Sequence, residues 1–292
     1  MWCNKQRNMS VRGGRNAVIA LAILGLAAAS TSCSSGPQPP QPGTPAFYWA
    51  AARETYRGGD YLKTSENLQR IMAGDNEFTA RARAWDTVIT GGATQAYIEL
   101  ADTWEAGAKA NRPNPTPFRR QVSTLRSLAS ASAIQYAEDV HKVMEADKDP
   151  TILLAFTSPA GAAAPPAGLK RVDSGILVQD SERDLLQAAM VQRGVLLSVC
   201  DAVGSPGDTA AAQEKLKTGE FRVPREVFLL AAAKSLEAQS EVFTSTKLDL
   251  PNRLKLMSQV ALNALGAIPQ TKETKAVNDK VQARLKKAKL TL

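Results

Sequence analysis

The sequence predicts an all-α protein, built of antiparallel helix pairs that close into a bundle or a short superhelix. Three observations predict it. Across most of the chain apolar residues recur at steps of three and four, the period of one helix face. Apolar residues make up 44% of the chain and aromatics only 5%, a balance that suits close-packed, alanine-rich helices better than a β-sandwich. Short breaks containing Gly, Pro, Asp or Asn separate the periodic stretches. At 292 residues the chain has room for one or two domains.

The first element is Ala17–Ala29, a charge-free run of 13 small or apolar residues. It is too short for a transmembrane helix, which needs about 20, and matches a signal-peptide core of roughly 7 to 15. Arg12 and Arg15 supply the positive leader, and Met9 is as good a start as Met1. Ser30, Thr31, Ser32 and Cys33 follow, then Ser34, Ser35 and Gly36, all small. This arrangement resembles a bacterial lipoprotein signal peptide, with Ser30 standing where the family usually has leucine. The resemblance implies cleavage just before Cys33 and attachment of diacylglycerol to its thiol, with residues 1–32 removed. Each buried methylene contributes about 0.8 kcal/mol, so two or three chains on one residue anchor it firmly. The alternative is ordinary signal-peptidase cleavage around Ala27–Ser30, giving a soluble secreted protein. Families of this kind are usually held at the inner membrane by an aspartate after the cysteine. Ser34 instead implies the outer membrane, facing the periplasm.

Residues 33–45 read as a stalk. Prolines at 37, 39, 40, 42 and 45 favour polyproline II, which at about 3.1 Å per residue reaches roughly 35 Å. Thr44 and Pro45 then cap a helix running to about Arg57. Gly58, Gly59 and Asp60 break it, and a second helix carries Tyr61, Thr64, Leu68, Ile71 and Met72 on one face before Gly74 and Asp75. FYWAAARETYRGGDYLKTSENLQRIM, residues 47–72, resembles one tetratricopeptide repeat. Its early aromatic falls on Tyr48, its small pair on Ala51 and Ala52, its turn on Gly59–Tyr61, and its later apolar sites on Leu68 and Ile71. Thr64 stands where alanine is usual and Asn76 where a closing proline is. No clean second copy lies 34 residues on. The resemblance implies a concave face that binds extended peptides or partner helices.

Further helices are expected over 77–110, with a kink at Gly91 and Gly92, and over 116–146. The latter shows a long core seam of Phe118, Val122, Leu125, Ala129, Ser132, Tyr136, Val140 and Val143. Residues 46–149 thus form a repeat-like helical domain. Residues 150–178 change character, because TSPAGAAAPPAG is low in complexity. They are either a linker, the reading preferred here, or a small β-hairpin whose flanks, ILLAF and LKRVDSGILV, pair. Residues 179–292 form a second helical domain, with helices expected near 181–203, 208–217, 224–244, 251–267 and 271–289. Leu254, Met257, Ala261, Ala264, Leu265 and Ile268 mark one seam. Every tyrosine lies before residue 150, as does every tryptophan of the mature chain, so the halves are not duplicates.

The net charge of +8 does not point to nucleic acid. Residues 1–32 hold four basic side chains and no acid, leaving 32 basic and 28 acidic residues from Cys33 onward. From Gln270 to the end, seven basic residues face two acids, so the stretch between is close to neutral. The basic tail, with Lys280, Arg284, Lys286, Lys287 and Lys289, reads as a solvated helix end. Its narrow apolar stripe of Val277, Val281, Leu285 and Ala288 reads as docked on the domain.

No catalytic constellation emerges. His141 is the only histidine, which excludes any two-histidine metal centre, and Glu138 and Glu145 make it a surface pair. No glycine-flanked nucleophile turn is present, and GSPGD at 204–208 lacks the Lys and Ser/Thr of a phosphate loop. Glu66, Glu99, Asp102 and Glu105 are acids at helical spacing, read as a solvated face. With Cys3 in the leader and Cys33 lipidated, Cys200 remains as a lone thiol. It is read as buried on a stripe with Leu185, Ala189, Leu196 and Val203. The expectation is therefore a non-enzymatic, lipid-anchored envelope scaffold for a protein partner, without cofactor or metal. Its alternatives are a ligand-binding lipoprotein, for wall fragments or an apolar small molecule, and an envelope hydrolase.

Overall fold

Local chemistry sets the first helices. The computed structural model of the chain describes residues 39–110, 112, 114–146, 148–161, 164 and 180–290, of which 180–182 by backbone alone. Thr44 accepts the Phe47 amide at 3.2 Å and Pro45 opens α1 (Pro45–Arg57). Asp60 does the same for Lys63 at 3.2 Å at the start of α2 (Tyr61–Met72). Between them Gly59 sits at φ +76°, a left-handed turn that glycine takes without strain. Asn76 takes over the turn after α2: its amide donates to the Ile71 carbonyl at 2.9 Å and its oxygen accepts the Phe78 amide at 3.0 Å. A side chain with both donor and acceptor closes the turn where a proline would have closed it by rigidity.

Two long helices follow, α3 (Thr79–Ala110) and α4 (Thr116–Ala146), and they pack along most of their length. The expected seam of α4 is buried at Phe118, Val122, Leu125, Ala129, Tyr136, Val140 and Val143. Ser132 is half-buried and is satisfied by the Thr90 carbonyl and the Thr94 hydroxyl. Helix α3 runs unbroken through Gly91 and Gly92. Those glycines serve packing. A Cβ on Gly91 would stand 2.9 Å from the Tyr136 ring, and one on Gly92 would stand 2.5 Å from the Val195 Cα.

A strand, β1 (Thr151–Leu154), follows α4, so the region near 150–178 does contain a β element. Its partner is β2 (Phe221–Pro224), antiparallel, with Ile152 opposite Val223. The sequence reading placed the partner in the flank 169–178, which lies outside the described residues, and read the start of a helix at Pro224. β1 alternates, with Ile152 and Leu154 buried, so its inner face seals the core while the pair stays short. The remaining elements are α5 (Asp180–Ala202), α6 (Thr209–Leu216), α7 (Arg225–Gln239) with a 3₁₀ turn at Ser240–Phe243, α8 (Pro251–Gly266) and α9 (Lys272–Lys287). The fold class is all-α with one small antiparallel pair of strands.

The helices of 46–149 and 179–292, read from the sequence as two domains, pack directly on one another. Residues Pro40–Leu292 form one compact unit. Helix α5 packs directly on α3, the Tyr136 hydroxyl donates to the Ala232 carbonyl at 3.3 Å, and Gln239 donates to the Gly91 carbonyl at 2.9 Å. After β1 the chain stays in the core of the first helices. Phe156 inserts among Trp49, Tyr56 and Trp85, with centroids 5.0, 4.8 and 4.7 Å away, and the Tyr56 hydroxyl donates to the Thr157 carbonyl at 3.0 Å. The residue just before the low-complexity segment is thus a core plug for the first helices. No helix of the described residues is long and apolar enough to cross a membrane.

Candidate functional site

The residue on which the sequence reading turned, Cys33, lies outside the described residues, as do the signal-peptide run and the first part of the stalk. His141 is where it was expected, half-exposed on α4 with Nε2 3.3 Å from Glu145. The acids at helical spacing are surface ion-pair members rather than a cluster: Glu99 pairs with Arg193, Asp102 with Lys247 at 3.1 Å, and Glu105 with Lys109 and Arg126. Cys200 is buried, and burial first, then Asp201 and Asp208, pushes its thiol up to about 11, so it stays protonated. The stripe assigned to it needs one correction. Leu185 is 72% exposed, and the fully buried part of α5 begins at Met190.

A first candidate surface lies between the α1–α2 turn and the start of α5. The turn Gly58–Leu62 forms one wall of an open groove of about 350 Å³. Tyr97 of α3 forms its floor, and Asp184, Gln187, Ala188 and Val191 of α5 the other wall. Leu62, 51% exposed, lines it. Helix geometry explains why a leucine is left outside: Asp60 caps α2, Tyr61, Thr64, Ser65, Leu68 and Ile71 take its core face, and Leu62, a step of about 100° from Tyr61, is turned outward. Large apolar side chains left in water beside a groove are the usual mark of an interaction surface.

The densest polar chemistry is internal. Asp86 of α3 and Asp139 of α4 are both fully buried and face each other across the helix pair. The Ser65 hydroxyl donates to Asp86 Oδ1 at 2.5 Å, and Gln135 donates to Asp139 Oδ1 at 2.9 Å. Asp86 Oδ2 has no N–H or O–H donor. Burial raises both carboxyls above their ordinary range, and the neighbouring acid raises Asp86 further. Two carboxylates in that space cannot both be ionised, so one proton on Asp86, donated toward Asp139, satisfies the orphan oxygen and the charge together. The Lys142 ammonium, 3.8 Å from Asp139, balances the remaining charge. Neither acid opens onto one of the surface grooves described here, so what the pair can do is hold a proton inside the bundle.

Sequence reasoning missed this pair. The signal was available for Asp86, the only charged residue between Ala84 and Ile98, a stretch otherwise of small, apolar and uncharged polar side chains. Asp139 carried no such mark, because α4 alternates charged and apolar residues throughout. Compared with protein-family models, with curated proteins and with solved structures, the chain finds no match.

Proposed function

We propose that the protein is a lipid-anchored component of a bacterial cell envelope, acting as a non-catalytic helical scaffold for protein–protein interaction or envelope assembly. The observation that carries the reading is the setting of Cys33: a positive leader, 13 small or apolar residues, small residues around the cysteine and a proline-rich tract behind it. Ser34 favours the outer membrane, facing the periplasm. The groove between the α1–α2 turn and α5 supports the scaffold part, since exposed Leu62, with Ala188 and Val191 opposite, offers an apolar anchor to a partner helix or extended peptide.

Intact-mass analysis of the exported protein tests the anchor. It should begin at Cys33 and carry the mass of diacylglycerol and any further acyl chain, and Cys33→Ser should abolish both. A terminus upstream of residue 33, or no acyl mass, overturns the reading. Photo-crosslinking residues placed at 62 and 187 test the surface. They should trap one recurrent envelope protein that a probe at Leu256, exposed on α8, does not trap.

A further inference from the structure

A second cavity, of about 580 Å³, lies where α3 ends and α4 begins. Its walls carry four cations, Lys109, Arg112, Arg119 and Arg126, against a single carboxylate, Glu105. Glu105 is already engaged, with Lys109 at 3.2 Å on one oxygen and Arg126 on the other. Arg112 and Arg119 have no carboxylate partner among the described residues, and the first turn of α4 contains no acid. The floor is apolar, formed by buried Ala108 and Val122 with Leu248 packed against them. The volume falls in the range of small-molecule sites, roughly 300 to 1,000 Å³.

We infer that this cavity binds a phosphate-bearing small ligand, held by Arg112 and Arg119 with its apolar part against Val122 and Leu248. The charge count chooses phosphate over carboxylate. Two free guanidiniums present two planar forks of donors, and a phosphate group offers three oxygens and up to two charges to match them. A carboxylate, with two oxygens and one charge, satisfies only one fork. Lys109 and Arg126 stay with Glu105 and set the positive field of the entrance without giving up their ion pair. The inference stands apart from the scaffold reading and survives its failure, because it uses neither Cys33 nor the α5 groove. Two sources carry this chemistry, a soluble phosphate compound and the headgroup of a phospholipid.

Titration calorimetry of the full chain in non-ionic detergent distinguishes them, with inorganic pyrophosphate as one probe and monomeric dihexanoyl phosphatidic acid as the other. Saturable binding of either is expected, weakened by added salt. Tighter binding of the first marks a soluble ligand, and tighter binding of the second a lipid headgroup. The double variant Arg112→Ala, Arg119→Ala should bind the preferred probe about tenfold or more weakly, the scale of one lost charge-assisted hydrogen bond. Both side chains are exposed, so its unfolding midpoint should be unchanged. A control, Lys286→Ala with Lys287→Ala, should bind like the parent. No saturable binding of either probe, equal binding by the arginine variant, or loss in the lysine control instead, overturns the inference.

Discussion

Helix α3 is buried on two sides by opposite means. Toward α5 it gives up side chains: Gly92 and Gly194 let the two backbones meet, so close that a Cβ on Gly194 would stand 2.2 Å from the Gly92 carbonyl oxygen. Toward α2 and α4 it does the reverse, placing a carboxyl, three threonine hydroxyls and a network of partners in the core. The first contact depends only on shape and should be indifferent to pH. The second depends on a proton. A single helix thus carries one interface that tolerates no added atom and another that tolerates no lost hydrogen.

The sharpest way to break the comparison is Gly194→Val. The atoms in its way are backbone, which cannot rotate aside, so the helices must separate along the contact. The expected loss is about 3 kcal/mol or more, the upper end of over-packing. Urea unfolding of the variant should show a lower midpoint at every pH tested, and a loss below about 1 kcal/mol would mean that α3 and α5 slide freely.

Next in size is Asp86→Ala. It leaves Ser65 and Asp139 without their partner and opens a small void, an expected cost of about 2 kcal/mol. Asp86→Asn is the informative companion. Its amide N–H₂ can donate to Asp139 as the protonated acid does, so most of the stability should remain. The pH dependence should not. Both carboxyls have folded values raised above the unfolded ones, so the native state holds protons that the unfolded chain has released. Their contribution is complete below the ordinary carboxylate range near pH 4 and falls as pH rises through the raised folded values. The slope is about 1.4 kcal/mol per pH unit for each proton involved. Chemical denaturation between pH 4 and 8 should show that decline in the parent and a flatter line in Asp86→Asn. An equal slope in both would place the proton elsewhere.

These two interfaces also show what a sequence can and cannot reveal. The helices themselves were legible, because caps and periodicity are local: Thr44 with Pro45, Asp60, and the seam from Phe118 to Val143 all lie where spacing placed them. Gly91 and Gly92 were visible, but a close crossing could not be read from them, since it needs the partner, Gly194, about a hundred residues on. The β1–β2 pair joins residues some seventy positions apart, and four-residue strands carry too little pattern to announce a partner at that range. Phe156 was hidden for a related reason: one aromatic at the edge of a low-complexity tract does not reveal that its pocket is made by α1 and α3. Of the candidate surfaces, the exposed Leu62 reads as an ordinary member of an amphipathic helix. Exposure depends on which face the rest of the chain leaves uncovered.

The smallest expected effect separates position from burial. His141 lies two residues beyond Asp139 on the same helix, yet one side chain is fully enclosed and the other 49% exposed. Two residues turn a helix by more than half of a full circle, which carries the side chain from the α3 interface to water. Its contact with Glu145 is an exposed pair at one-turn spacing, a class that contributes little at ordinary salt. His141→Ala should therefore change stability by no more than about 0.5 kcal/mol, read from the same urea curves. A loss as large as that of Asp86→Ala would mean that the outer face of α4 is covered in solution. In that case His141 would mark an interface, and the groove between the α1–α2 turn and α5 would no longer be the first place to look for the partner.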